Sequence, residues 1–392
     1  MRCIYLGESS EVSSDKKTTE NMSVSKKSKR LRWIDQARGF IMFYLVLTIT
    51  WPPEDYRKRE TNIVLHYLFG HAGTTDTYMT LFDAGAAAFI LVLGLSMAIS
   101  FTRRSGKHGS GKAVQHLVVR YLIILALGML IIYADGGEFF NEDKGTVRWD
   151  VIPSIAAAGL VSIPFLFIRD PKKRLYVGIG WALLYQILMI FAGLKEYAIN
   201  SVHGGIYGSI FGYAACGIIG TALGDYMYSY KDIEKDKKFK DMLSLGAIMA
   251  VGGYLLTFIP EMEAAKRQVS FTHVLISSGI TFLGLSVFWY LDEKKDMELT
   301  YLRAFGMNPF LMYLLVLIPD FLIVDLVELY DADTDWLMNS VFMVIYLLID
   351  SVVALFLYKK RKSLSTEKVA IGAIIIVVGL AAILIFGLGI EL

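Results

Sequence analysis

Apolar segments of about 17–23 residues recur along the chain from Trp33 onward, and polar stretches separate them. A helix of about 20 residues is long enough to cross the ~30 Å hydrocarbon core of a bilayer. Each segment therefore predicts one membrane-spanning helix, and the series predicts an all-α, polytopic integral membrane protein. The eleven predicted spans are residues 33–51, 82–101, 117–133, 151–168, 176–193, 205–224, 242–259, 272–291, 305–325, 336–358 and 367–389.

The distribution of Lys and Arg between these spans predicts their orientation. If the N-terminus lies inside, 31 of the 39 Lys and Arg residues fall on the inner side. An excess of Lys and Arg is typical of cytoplasmic loops. The predicted topology therefore has the N-terminus inside and the C-terminus outside. A composition that is 55% hydrophobic and only 19% charged agrees with a chain whose partner is the lipid bilayer.

The remaining composition predicts one membrane domain, residues 30–392, preceded by a short tail. Residues 1–29 are rich in Ser, Lys, Thr and Glu and predict a disordered cytoplasmic segment. Cys3 falls in this tail and Cys216 within a span, so they are not expected to form a disulfide. The spacing of Cys and His does not predict a structural zinc site. The net charge of +2 says little, because the charges are sorted by side of the membrane. We expect no nucleic-acid partner.

The predicted exterior loop between the first two spans contains the strongest candidates for acid–base chemistry. His66 and His71 lie in this loop, and Asp83 lies at the mouth of the second span. Histidine accepts and returns protons near neutral pH, and a nearby carboxylate can orient its ring. A solvated loop histidine is the alternative. His203 and His273 fall on the same predicted side, but we expect no metal site.

A basic stretch, residues 102–120, is predicted to form a cytoplasmic loop. It partly fits a phosphate-binding Gly-rich motif, but Ala113 stands where that motif needs Ser or Thr, and a span precedes it. We therefore reject a nucleotide hydrolase. The stretch is interpreted either as ordinary inside bias or as a patch for a ligand's phosphates. Its basic residues are Arg103, Arg104, Lys107, Lys112 and Arg120.

Several residues near or within the spans have both a structural and a functional interpretation. Asp35 and Arg38 are three residues apart and can pair on one helix face. Asn308 before Pro309 predicts a helix start, which suits an anion. Asp350 lies deep in a span, where a carboxylate is costly unless it is paired, for example with Arg38, or faces a cavity.

Glycines spaced mostly by three to five residues run along the sixth span, from Gly204 to Gly224. Such a spacing produces a helix face that another helix can approach closely. The interpretation is helix packing, which leaves open a homodimer formed through this glycine-rich face.

Taken in order, these features resemble the heparan-α-glucosaminide N-acetyltransferase family of transmembrane acyltransferases. The resemblance covers nearly all of residues 30–330. It rests on Asp35, Arg38 and Gly39; on His71-Ala72 followed by Asp83, Phe89 and Gly94; on the run of residues 268–275; and on Gly306-Met307-Asn308. The chain departs from the family pattern at Ala87, where Pro is expected, and at Ala156-Ala157, where Gln-Arg is expected.

The resemblance implies transfer of an acyl group, typically acetyl, from cytoplasmic acyl-CoA to an amine or hydroxyl of an exterior sugar or glycan. His71 would be the general base or a transient acyl carrier, with Asp83 beside it. The residues expected to bind acyl-CoA are Arg38, Arg103, Arg104, Lys107, Lys112, Arg120 and Asn308. The expected location is the cell membrane of a prokaryote. A secondary transporter and a catalytically inactive relative remain as alternatives.

Overall fold

The chain folds almost entirely into helices. The computed structural model describes residues 31–73, 76–134, 139–141, 145–320 and 336–387, so the predicted tail, residues 1–29, lies outside the described residues. A short antiparallel hairpin pairs β1 (Phe140–Asn141) with β2 (Thr146–Val147). The nearly all-helical class is therefore confirmed.

The helices follow one another with short connections. In chain order they are α1 (Arg32–Thr50), α2 (Glu54–Arg57), α3 (Ile63–Phe69), α4 (Gly85–His108), α5 (Ser110–Ala134), α6 (Val151–Ser162), α7 (Pro171–Phe191), α8 (Leu194–Asn200), α9 (Ala214–Ser229), α10 (Lys235–Leu256), α11 (Phe271–Glu293), α12 (Thr300–Met307), α13 (Pro309–Asp320), α14 (Trp336–Lys359) and α15 (Thr366–Gly387). Short 3-10 turns lie at Phe82–Ala84, before α4, at Pro164–Phe167 and at Val202–Gly204. A helical turn, Gly205–Tyr207, and a π-helical turn, Gly208–Tyr213, precede α9.

Each predicted span overlaps at least one helix, and seven helical segments in the described part of the chain are long and apolar enough to cross a membrane. The number eleven and the orientation of the termini stay predictions. The seven segments are Phe82–His108, Ser110–Tyr133, Pro171–Phe191, Val202–Ser229, Lys235–Leu256, Phe271–Glu293 and Trp336–Lys359.

Two segments differ from the sequence-based expectation. The predicted loop 102–120 is wrong, because α4 continues to His108 and α5 begins at Ser110. Only Gly109, with φ of +83°, separates them. Lys and Arg are good helix formers, so their charge ends the apolar span without ending the helix. The predicted ninth span is likewise interrupted at Asn308, between α12 and α13.

The glycine face of α9 packs against α4 of the same chain. A Cβ built at Gly220 would lie 2.0 Å from the carbonyl oxygen of Leu91, and one at Gly224 would lie 2.3 Å from that of Leu95. Only glycine permits so close an approach of two backbones. The predicted packing role is confirmed. The homodimer stays a prediction.

Helices α1 and α12 cross even more closely, at two of the residues that carry the family resemblance. A Cβ at Gly39 would lie 1.6 Å from the carbonyl oxygen of Leu302, and one at Gly306 would lie 1.6 Å from that of Asp35. Backbone atoms cannot move aside as a flexible side chain can. The two glycines therefore fix the position of α1, which carries Arg38, relative to α12, which ends just before Asn308.

Gly306→Ala is expected to lower the stability of the protein. The added methyl group forces α1 and α12 apart, and overpacking of this kind costs about 1–3 kcal/mol. The measurement is the Tm of the purified protein in detergent, which should fall by several degrees. Gly284→Ala is the matched control, because nothing lies within 4 Å of its Cβ position. An equal Tm for the two variants would contradict the close crossing.

Candidate functional site

The loop before α4 is fastened to the start of that helix by Thr80 and Asp83. The Asp83 N–H donates to Thr80 Oγ1 (3.2 Å), and the Thr80 N–H donates to Asp83 Oδ2 (3.1 Å). This reciprocal pair resembles a capping box. The Thr80 hydroxyl also donates to the carbonyl of Gly70 (2.6 Å). The backbone immediately before His71 is therefore held in place by the same residues that begin the helix.

His71 and Asp83 are brought together by this loop. His71 Nδ1 lies 2.8 Å from Asp83 Oδ1, and the Ala72 N–H donates to Asp83 Oδ2 (3.1 Å). The Asp83 carboxylate is fully buried, whereas 51% of the His71 side chain is exposed. Because a carboxylate accepts, the proton of the neutral ring is assigned to Nδ1. The other nitrogen, Nε2, is then the basic atom of an accessible histidine.

Phe82 and Lys266 form the remaining sides of the His71 environment. The His71 ring stacks on Phe82, with 4.6 Å between ring centres and 22° between planes. Lys266 Nζ lies 3.3 Å from His71 Nδ1 and 3.4 Å from Nε2, and 5.0 Å from the centre of the Phe82 ring. Burial lowers the pKa of the half-buried Lys266, while Asp83 and Asp150 oppose this effect. Lys266 therefore lies beside both ring nitrogens of His71.

Lys266 was missed by the sequence reasoning. It lies in a loop 195 residues away from His71, so no local spacing connects the two. One signal was available, since Lys266 is among only eight Lys and Arg residues on the predicted exterior side.

Two further histidines lie behind Asp83. His273 is fully buried, and its Nε2 donates to the carbonyl oxygen of Asp83 (3.1 Å). His203 Nδ1 contacts the Tyr213 hydroxyl (2.8 Å). The Tyr213 ring also contacts His273, so the two histidines are connected through Tyr213. In the part of the chain that the structure describes, no three His, Cys, Asp or Glu side chains are arranged to hold a metal ion.

His66, the alternative to His71, has both ring nitrogens occupied. Its Nδ1 lies 2.9 Å from the carbonyl oxygen of Arg57, and its Nε2 lies 3.0 Å from the Tyr78 hydroxyl. The residue is also buried. His66 therefore holds the loop together, and His71 is the histidine of this loop whose ring can reach a ligand.

The basic residues predicted to bind phosphates point in different directions. Arg103 Nε donates to the Tyr228 hydroxyl on α9 (3.1 Å), and its guanidinium lies 4.9 Å from the centre of that ring. Arg120 donates to Thr366 at the start of α15 (2.8 Å). The three that stay exposed around the α4–α5 corner are Arg104, Lys107 and Lys112. These three suit the phosphates of a ligand best.

A cleft of about 300 Å³ opens beside the end of α4. Arg174 forms part of its wall and is almost fully buried. Its guanidinium donates to the carbonyl oxygens of Thr221 (3.1 Å) and Leu166 (3.2 Å). The cleft is lined by Ala98, Phe101, Thr102, Ser105, Gly106, Leu166, Arg169, Arg174 and Asp225.

Arg38 and Asn308 make contacts within the protein. The Arg38 guanidinium forms the predicted ion pair with Asp35. The Asn308 side chain does not cap α13 as expected. It is buried, and its Oδ1 accepts from the N–H of Leu364 (2.7 Å) while its amide donates to the carbonyl of Lys362 (3.3 Å). Asn308 therefore ties the connection between α14 and α15 to the break between α12 and α13.

Asp350 is fully buried on α14, and neither of its carboxylate oxygens has a hydrogen-bond partner among the described residues. The interpretation of a pair with Arg38 is therefore wrong.

The chain departs from the family pattern at Ala156 in α6. This residue is fully buried in an apolar cluster with Phe310 and Tyr121.

A bundle of long apolar helices with an accessible histidine, oriented by a buried carboxylate, defines an integral membrane protein equipped for acid–base or acyl-transfer chemistry. Residues 30–258 match the family described as "Heparan-alpha-glucosaminide N-acetyltransferase, catalytic". The chain belongs to this family of membrane acetyltransferases. A search of curated proteins gave no match. The matched region includes His71, Asp83 and the basic corner between α4 and α5.

Proposed function

We propose that the protein transfers an acyl group, acetyl in this family, from cytoplasmic acyl-CoA to an amine or hydroxyl of a sugar or glycan on the other side of the membrane. The observation that carries the proposal is the His71–Asp83 hydrogen bond of 2.8 Å beneath an exposed imidazole. The membership of the chain in an acetyltransferase family supports the reaction class. The family name suggests an amine of a glucosamine-type sugar as the acceptor.

In this proposal, His71 acts through Nε2. The attacking amine or hydroxyl gives its proton to Nε2 as it bonds to the thioester carbon. Asp83 accepts from Nδ1, which keeps the ring in the required tautomer and stabilises the imidazolium that forms. The same nitrogen is the atom that would carry the acyl group if the reaction passes through an acyl-histidine.

The donor is expected to enter from the side of the α4–α5 corner. Acyl-CoA carries several phosphate charges, and the exposed Arg104, Lys107 and Lys112 provide the matching positive charge. The cleft beside the end of α4 is lined in part by Ser105 and Gly106, which are neighbours of these basic residues in the sequence. The 31-to-8 division of Lys and Arg supports a cytoplasmic position for this corner.

Arg104→Glu combined with Lys107→Glu is expected to weaken acetyl-CoA binding by at least tenfold at low salt. The loss should shrink at high salt, because the Debye length falls from about 30 Å at 0.01 M to about 3 Å at 1 M ionic strength. Titration of the purified protein with acetyl-CoA at several salt concentrations measures this. Lys58→Glu, an exposed charge in the predicted exterior loop, is the control. If the affinity of the double variant is unchanged, these basic residues do not bind acetyl-CoA and only reflect the excess of Lys and Arg in cytoplasmic segments.

The proposal itself is tested with purified protein in liposomes, acetyl-CoA on one side and glucosamine on the other. Release of the CoA thiol that depends on the amine is expected. A protein that releases no CoA with any amine or hydroxyl sugar tested is not an acyltransferase. Flux of a solute coupled to ions would then identify a transporter, in which the buried Asp350 is the first residue to examine.

A further inference from the structure

We infer that Lys266 is a catalytic residue of this site, whose ammonium stabilises the negative charge that develops on the thioester carbonyl oxygen during acyl transfer. This inference rests on the proposed function and adds to it the group that binds the oxyanion. The family match ends at residue 258, so Lys266 lies outside the matched region.

The position of Lys266 relative to His71 is the first argument. A group that loses its proton to Nε2 must lie about 2.6–3.2 Å from that nitrogen. The thioester carbon bonds to the same group, so its oxygen is also close to Nε2. Lys266 Nζ, at 3.4 Å from Nε2, is therefore within reach of that oxygen. It lies between the two ring nitrogens rather than in line with either, which leaves Nε2 open to the acceptor.

The lack of a carboxylate partner is the second argument. No ion pair within 4 Å joins Lys266 to Asp or Glu among the described residues, although the side chain is half-buried and Asp83 and Asp150 act on its charge from farther away. The Oδ2 atom of Asp83 already accepts from two backbone N–H groups, and its Oδ1 contacts His71. A lysine with a purely structural role would normally keep its charge in water or pair it. This ammonium instead faces the space beside the imidazole.

The loop that carries Lys266 is held rigidly, which is the third argument. The Ser270 and Thr272 hydroxyls both donate to the carbonyl oxygen of Glu263 (2.7 and 2.6 Å). Gln186 bridges the two ends of the loop, because its amide donates to the Glu261 carbonyl (2.6 Å) and its oxygen accepts from the Phe271 N–H (3.0 Å). Preorganised charges stabilise a transition state more effectively than mobile ones.

The chemical step balances with these groups. The acceptor amine attacks the thioester carbon, the C=O electron pair moves onto oxygen, and His71 Nε2 takes one amine proton. The Lys266 ammonium donates a hydrogen bond to the oxyanion. When the C=O bond re-forms, the C–S bond breaks, and the CoA thiolate takes the proton from Nε2. The products are the N-acyl sugar and the CoA thiol, and Lys266 keeps its proton throughout.

The charge on Lys266 predicts a specific pH dependence. Burial lowers the pKa of Lys266, so its charge is lost at a lower pH than that of an exposed lysine. Because the oxyanion needs the protonated form, activity should fall as pH rises through this pKa. The titratable groups that face Lys266 are histidines and carboxylates, and none of them carries a permanent positive charge. They are His71, Asp83, Asp150, His203 and His273.

Lys266→Met is expected to lower kcat by about 10²–10³-fold, the usual effect of removing one oxyanion donor. KM for acetyl-CoA should change little. Lys266→Arg should retain more activity than Lys266→Met, and its alkaline limb should move to higher pH, because Arg stays protonated. Arg267→Met, an exposed neighbour in the same loop, is the matched control and should behave like wild type. Tm values establish that each variant is folded.

The outcomes separate this inference from the proposed function. If wild type transfers acetyl groups and folded Lys266→Met is as active as Arg267→Met, Lys266 does not bind the oxyanion, although the proposed function stands. If the activity of Lys266→Arg falls at the same alkaline pH as that of wild type, the charge of Lys266 does not stabilise the oxyanion. If wild type transfers no acetyl group, the proposed function fails first, and this inference fails with it.

Discussion

His71→Ala is expected to lower kcat for acyl transfer by about 10²–10⁴-fold, the usual contribution of a general base. The imidazole is the accessible basic group of the loop, and Asp83 orients it from below. Acetyl-CoA binding should stay nearly unchanged, since the basic corner between α4 and α5 lies at the other end of α4. Initial rates of CoA release and equilibrium binding of acetyl-CoA measure the two effects separately.

His66→Ala is the informative comparison for this prediction. It removes a buried ring with two hydrogen bonds, so we expect a lower Tm but a retained rate per folded molecule. If His66→Ala is folded and inactive while His71→Ala is active, the assignment of the base is wrong.

A separate experiment, incubation with radiolabelled acetyl-CoA and no acceptor, distinguishes the two roles of His71 as general base and acyl carrier. Label retained on wild type and lost in His71→Ala indicates an acyl carrier, and absence of label indicates a base.

The helical fold was predictable because hydrophobic length and charge are local properties of a chain. Each predicted span overlaps a helix for that reason. The ends of the helices were less predictable. Residues 102–108 belong to α4 because Arg and Lys are compatible with a helix outside the apolar region. The interruption at Asn308 depends on its contacts with Lys362 and Leu364, more than 50 residues away in the chain.

Part of the site was predictable for a similar reason. His71 and Asp83 are only 12 residues apart, and the second lies at a helix start that faces the loop containing the first. Lys266 joins them through the packing of a distant loop, which no sequence spacing reveals.

The glycines of the family motifs have a structural role rather than a catalytic one. Gly39 and Gly306 are required where two backbones cross, so their presence reports on packing.

Asp83→Asn is expected to lower kcat by about 10⁴-fold while the protein stays folded, the effect seen when another orienting carboxylate is replaced by its amide. Asp83 Oδ2 accepts from the N–H groups of Ala72 and Thr80. In the Asn variant, the amide oxygen must take this position, because an NH₂ group there would face two donors. The amide nitrogen then faces His71 Nδ1 and donates to it.

This reversal moves the His71 proton from Nδ1 to Nε2, and the ring no longer has a free base where the acceptor binds. The rate of acetyl transfer is the measurement, and the Tm and the affinity for acetyl-CoA should stay close to wild type because the backbone hydrogen bonds are kept. Asp76→Asn is the matched control, since Asp76 is an acid of the same loop that accepts from the Gly73 N–H (2.7 Å) and does not contact His71. A folded Asp83→Asn variant with the wild-type rate would show either that another group sets the tautomer of His71 or that Nε2 is not the atom that takes the proton.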